Sequence, residues 1–252
     1  MVALFLALAS YLTAFLLFTV KLFAPERVKN LPYAFLTAGV VFYALALFER
    51  FAEYGTFPIG DVYGTLSFIG NLSVIIFVFV AKRYAFELLG TVVSFMAFLT
   101  TMFLIPSRRL GFSDPLFIVH LVTAVVSYAF IIFAGLASFS KLVLERRLKK
   151  KASTPPLAPY KFLMQMEKFF IVGGFLGLTL TLVFGSLWAK DYLGTHWVQD
   201  EKLVITLVLW LFYAFLSHAY ALKLVKPSQI SYLSVLGTFM GLAALFFVRH
   251  SF

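Results

Sequence analysis

The sequence predicts an all-α polytopic membrane protein, a bundle of about eight transmembrane helices with both termini on the non-cytoplasmic side. Three observations lead there. Of the 252 residues, 62% are hydrophobic and only 13% charged, whereas a soluble domain is about a quarter charged. The apolar residues also come in runs of about 18 or more, the length of helix that crosses a hydrocarbon core, without the short alternating segments of a barrel. Finally, lysine and arginine crowd onto alternate connections, which marks one face of the membrane.

The runs can be taken in order. The first, 2–23, is too long for the apolar core of a signal peptide and lacks a basic leading segment, so it reads as a retained helix. Spans at 32–50, 61–81, 86–105 and 115–140 follow, and after a polar segment those at 168–188, 202–222 and 229–249. The polar segment, about 141–167, carries a basic run from Lys141 to Lys151 and then Ser153-Thr154-Pro155-Pro156. It reads as a helix end followed by a proline-stiffened cytoplasmic linker. All other connections are short, which predicts antiparallel neighbours within a single membrane domain over 1–252. No internal repeat suggests the inverted halves of a transporter. On the sixth span Gly173, Gly177 and Gly185 are spaced by four and eight; such spacing suits close helix packing, and alternatively a surface for a flat ligand.

The formal charge of +10 would suit nucleic acid, but its distribution speaks for topology instead. Six of the 21 Lys and Arg residues (Arg50, Arg108, Arg109, Lys190, Lys202 and Arg249) lie on one set of connections, and the other fifteen lie on the opposite set. The richer set is cytoplasmic, which puts both termini outside and implies no nucleic-acid partner. With no cysteine, disulfides and thiolate metal sites are excluded.

Chemistry is concentrated between Gly185 and Tyr220. A short outer connection there carries Trp188, Tyr192, His196, Trp197 and Asp200: flat aromatic faces and an imidazole where water meets lipid. A large, planar, amphipathic ligand suits such a surface better than a sugar, a nucleotide or an ion. No Asp or Glu falls mid-span, since Glu49, Asp61 and Glu87 lie at ends, and this weakens a proton pump or ion-coupled transporter. That leaves the histidines. His120 lies about 7 Å below the outer surface, His250 ends the last span at that same surface, and His218, about 24 Å beyond Lys202, belongs near the cytoplasmic leaflet. Two imidazoles at one level on different helices can ligate a haem iron from opposite faces. Arg108, Arg109, Arg249 and Lys202 stand ready to pair with propionates. For each histidine taken alone, an interface residue hydrogen-bonded to backbone or water is the favoured reading.

These residues resemble the CcsA/ResC family of cytochrome c assembly proteins, within the broader CcsA/CcmC/CcmF/HemX group. The family's GxxWA element is matched by Gly185-Ser186-Leu187-Trp188-Ala189. Its tryptophan-rich WWD loop, typically WGxYWxWDPKE, is met in degenerate form by the segment from Leu193 to Lys202, where Gly194, Trp197, Asp200 and Lys202 match. Leu193 and Gln199 replace tryptophans, His196 a tyrosine and Glu201 a proline. Further likenesses are Pro115 to His120 with Ser127-Tyr128-Ala129, Trp210 to Ala214 with His218, Arg249-His250-Ser251-Phe252, and Pro58 to Leu66, with Gly64 where the family has an acid.

The resemblance implies haem b as cofactor, with His120 and His250 as external ligands to its iron and His218 as the inner membrane histidine. Trp188, Gly194, His196, Trp197 and Asp200 would line the cofactor, and no residue would be a catalytic nucleophile. It further implies a multi-pass protein of the inner or plasma membrane, with the loop outside, that presents haem for attachment to apocytochrome c beside a ResB/CcsB-like membrane partner. The alternative is a HemX-like, non-catalytic regulator or scaffold of haem metabolism. In that case the basic linker would contact a cytosolic enzyme and the outer loop would be dispensable.

Overall fold

The computed structural model describes residues 1–55, 58, 61–81, 87–107, 114–151, 159–198 and 200–247. The described residues are mainly helical, with no strand among them. The chain forms two compact units, residues 1–113 and 114–252. The boundary between them falls ahead of the fifth predicted span.

The first unit contains α1 (Val2–Phe23), the single-turn α2 (Pro25–Val28), α3 (Leu31–Tyr54), α4 (Val62–Ala81) and α5 (Glu87–Met102). The buried face of α1 includes Leu4, Ala7, Tyr11, Ala14 and Phe18, the three-and-four spacing of one helical stripe. Its large side chains seat on glycine. A Cβ at Gly39 of α3 would stand 2.4 Å from the Tyr11 ring, and one at Gly90 of α5 2.5 Å from Phe18. One set of polar groups inside the unit forms a mutually satisfied network, as burial in lipid favours. The Tyr11 hydroxyl donates to Asn71 Oδ1 at 2.5 Å. The Asn71 amide in turn donates to the Ser67 carbonyl and to Thr101 Oγ1, each at 2.9 Å.

The second unit contains α6 (Pro115–Lys149), α7 (Tyr160–Leu193), α8 (Glu201–Ala221) and α9 (Pro227–Phe247). With 35 and 34 residues, α6 and α7 are each about 50 Å long, some 20 Å more than a hydrocarbon core. The predicted glycine row is their packing seam. Cβ atoms at Gly173, Gly177 and Gly185 would stand 2.2, 2.4 and 2.8 Å from Phe130, Ser127 and His120 of α6.

Six helices (α1, α3, α6, α7, α8 and α9) are long and apolar enough to cross a membrane, and α4 and α5 contribute the shorter apolar stretches Tyr63–Phe79 and Gly90–Met102. Large apolar side chains such as Phe23, Phe79 and Phe239 are exposed, a surface that water would penalise and lipid does not. A helix lies at each of the eight predicted spans in order, six of them long and apolar enough to cross a membrane, and the chain is a polytopic, all-α membrane protein. The predicted edges differ most at the linker. Residues 141–149 and 160–167, read from sequence as a polar connection, are helical, because backbone hydrogen bonding continues beyond the apolar stretch that announces a span.

Candidate functional site

The site is built at one end of the second unit, where α6 begins and α7 ends. Asp114 caps α6, its carboxylate accepting the Phe117 N–H at 3.0 Å, and Pro115 supplies the preset first-turn backbone. This start places His120 in the second turn, half-buried against α7. Its Nδ1 lies 2.9 Å from the Thr181 carbonyl. A carbonyl can only accept, so Nδ1 carries a proton, and in the neutral ring the lone pair is then on Nε2. A ring held in this way through Nδ1 is the usual support of a metal-ligating imidazole.

Aromatic rings extend from this point. Phe117 lies between His120 and Trp188, with centroids 6.3 and 5.1 Å away. Trp188 stacks on Tyr192 at 5.3 Å and 12°. Trp188 is buried in the helix pair, whereas Trp197 in the connection is half exposed.

The connection itself is short because both of its ends are helix stops. Gly194 adopts a left-handed conformation (φ 76°) and returns its N–H to the Lys190 carbonyl at 3.0 Å, the C-terminal geometry glycine permits. Asp200 is buried, and its carboxylate accepts the Leu203 N–H at 3.1 Å, capping α8. Both residues thus have helix-end roles beside the cofactor contacts expected from sequence. His196 is exposed, its Nδ1 3.3 Å from Ser186 Oγ. Lys202, expected to face propionates, donates to the Ala244 carbonyl of α9 at 2.5 Å and lies 6.0 Å from the Tyr128 ring.

His218 is exposed in the last turn of α8, where its Nδ1 lies 2.7 Å from the Ala214 carbonyl and its ring sits edge-on to Phe175 at 6.0 Å. It is not brought beside His120. His250, Arg108, Arg109 and Arg249 lie outside the described residues. Among the described residues no group of three or more His, Asp or Glu could hold a bare metal ion.

One cluster was not anticipated. The Lys141 ammonium and the Glu167 carboxylate form an ion pair with no exposure to solvent. Glu167 Oε1 also accepts from Ser138 at 2.8 Å and from Ser231 at 2.6 Å, while Lys141 donates to the Pro227 carbonyl at 3.2 Å. Sequence reading assigned both charges to the linker, so the span ends hid them. Pro159, which directly precedes α7, was the available signal, since proline favours helix starts.

Comparison with known proteins matches residues 59–252 to the family described as cytochrome c assembly protein. The chain belongs to that family. It is 25% identical over 210 residues to the cytochrome c biogenesis protein CcsA of Prochlorococcus marinus strain MIT 9312, covering 69% of this chain and 67% of that one. To the CcsA of Cyanidium caldarium it is 24% identical over 257 residues, covering 88% and 86%. It spans about half of the Chlamydomonas reinhardtii CcsA, 53%, at 25% identity over 190 residues. The chain is therefore a multi-pass membrane protein with a role in cytochrome c biogenesis.

Proposed function

We propose that the protein binds haem b at its non-cytoplasmic face and holds it for attachment to apocytochrome c. His120 and His250 would be the axial ligands, with Trp188, Gly194, His196, Trp197 and Asp200 around the edge. The observation that carries this reading is the bond from His120 Nδ1 to the Thr181 carbonyl, because it fixes the tautomer a ligand needs. The register of α9 gives further support. Thr238 donates to the Ile131 carbonyl at 2.7 Å, and a Cβ at Gly241 would contact Ile131 and Tyr128, so α6 and α9 run antiparallel. From Thr238, α9 therefore runs toward the end of α6 that carries His120.

The chain's own residues position and shield. His120 would hold the haem iron, and the Phe117, Trp188 and Tyr192 rings would give the cofactor an apolar wall. Trp197 and His196 face the side from which apocytochrome thiols would approach. When bound, haem supplies the vinyl groups to which those thiols add. His218, at the far end of α8, would meet haem on an inner route. A ResB/CcsB-like membrane partner and residence in the inner or plasma membrane complete the proposal. The HemX-like alternative needs the 141–168 segment available to a cytosolic enzyme, and the burial of Lys141 and Glu167 speaks against that for the ends of the segment.

The test is the absorption spectrum of detergent-purified protein supplied with haem. A Soret band is expected, altered in His120→Ala and in His250→Ala. No band at all would defeat the proposal, and a band unchanged in both variants would defeat the ligand assignment.

A further inference from the structure

The strongest feature away from the His120 end is the buried cluster of Lys141, Glu167, Ser138 and Ser231. It joins three helices, with Lys141 and Ser138 on α6, Glu167 on α7 and Ser231 in the second turn of α9. We infer that this cluster is a register lock: it fixes the axial position of α9 against α6 and α7. On the function proposed above, it thereby also sets the level at which His250 meets His120.

The argument rests on what the remaining contacts can and cannot specify. Between α6 and α9 the seam has two glycines and one hydrogen bond, from Thr238 to the Ile131 carbonyl, and Thr238 also meets the Ser234 carbonyl of its own helix at 3.1 Å, so a slide would not strand it. Gly135 faces Thr238, and Gly241 faces Ile131. Within lipid such a seam brings helices together but chooses only weakly among registers, since lipid tails are as apolar as the side chains they replace and a single hydroxyl bond contributes about 0.6 kcal/mol. A charged pair does choose. A slide of α9 by one turn, about 5.4 Å, would carry Ser231 away from Glu167 and the Pro227 carbonyl away from Lys141. Both charges have no exposure to solvent, so no water could replace the lost bonds. Buried polar groups at helix interfaces are best attested in this role, as setters of register. The polarity of α9 agrees, because the carboxylate stands near its N-terminal end, the electropositive one.

The absence of native cysteine makes the test direct. Ile131→Cys with Gly241→Cys should form a disulfide in membranes, since a Cβ at 241 would stand 3.0 Å from the Ile131 Cγ2. Adding Glu167→Gln should lower that yield at least threefold and raise the yield of the one-turn-shifted pairs, in which Ile131→Cys is combined with Gly237→Cys or Leu245→Cys. The neutral double variant Lys141→Met with Glu167→Gln leaves no stranded charge, so it decides the matter if the single variant fails to insert. It too should spread the cross-links. An unchanged pattern in the double variant overturns the lock. Soret spectra of the same variants, without the added cysteines, should move toward that of His250→Ala. A changed cross-link pattern beside an unmoved spectrum upholds the lock and counts against the haem-ligand reading alone.

Discussion

The imidazole of His120 occupies a notch that Gly185 leaves in α7: a Cβ at position 185 would stand 2.8 Å from its Nδ1. The same nitrogen meets the Thr181 carbonyl, one turn back along α7, at 2.9 Å. Close approach and hydrogen bond therefore depend on one missing methyl group. Gly185→Ala should push the ring off its carbonyl, and overpacking of this kind costs about 1–3 kcal/mol. Haem affinity, followed by Soret titration, should fall about 5- to 150-fold. Thr181→Ala keeps the carbonyl and should change affinity little.

Trp188 and Trp197 should separate stability from activity. Trp188 is buried between Phe117 and Tyr192, so Trp188→Ala should lower stability by about 3–5 kcal/mol, as for other buried aromatics. Trp197 is 50% exposed, so Trp197→Ala should leave thermal unfolding in detergent nearly unchanged while cytochrome c formation drops. Equal losses of stability in the two variants would remove the assignment of Trp197 to the ligand-facing surface.

The spans were readable because each apolar run announces itself, and the glycine row on α7 was readable because spacing alone reports a seam. The partners of that row were not, since only the tertiary fold shows that Gly185 faces His120. The ends of α6 and α7 next to the linker were misjudged for a different reason. Apolarity marks where a helix meets lipid and says nothing of where the helix stops, so Lys141 and Glu167 were assigned to a connection. Once α7 is seen to begin at Tyr160, Glu167 becomes a charge two turns inside a helix, and a partner is to be expected. Gly194 and Asp200 were noticed as parts of a family-like loop, yet a left-handed glycine and a capping aspartate at a helix–loop–helix junction are readable from residue type alone.

Asp200 offers a test of that dual character. Asp200→Asn keeps a capping oxygen for the Leu203 N–H and should keep stability within a few tenths of a kcal/mol, whereas Asp200→Ala should cost about 0.5–2 kcal/mol. Thermal melts check this directly. If Asp200 serves only as a cap, cytochrome c formation in the asparagine variant should match the parent. A loss of activity there, at unchanged stability, would show that the negative charge itself is used.

Sidedness can be decided with single cysteines, because the chain has none of its own. Thr195 is exposed in the connection between α7 and α8, and Lys151 is exposed beyond the other end of the α6–α7 pair. The two positions are separated by helices of about 50 Å, so a single bilayer puts them on opposite sides. The lysine and arginine asymmetry assigns Lys151 to the cytoplasm. A membrane-impermeant thiol reagent added to intact cells should therefore label Thr195→Cys and leave Lys151→Cys unlabelled until the membrane is opened. The reverse pattern would place His120, Trp188 and the connection on the cytoplasmic side, where external apocytochrome c could not reach them.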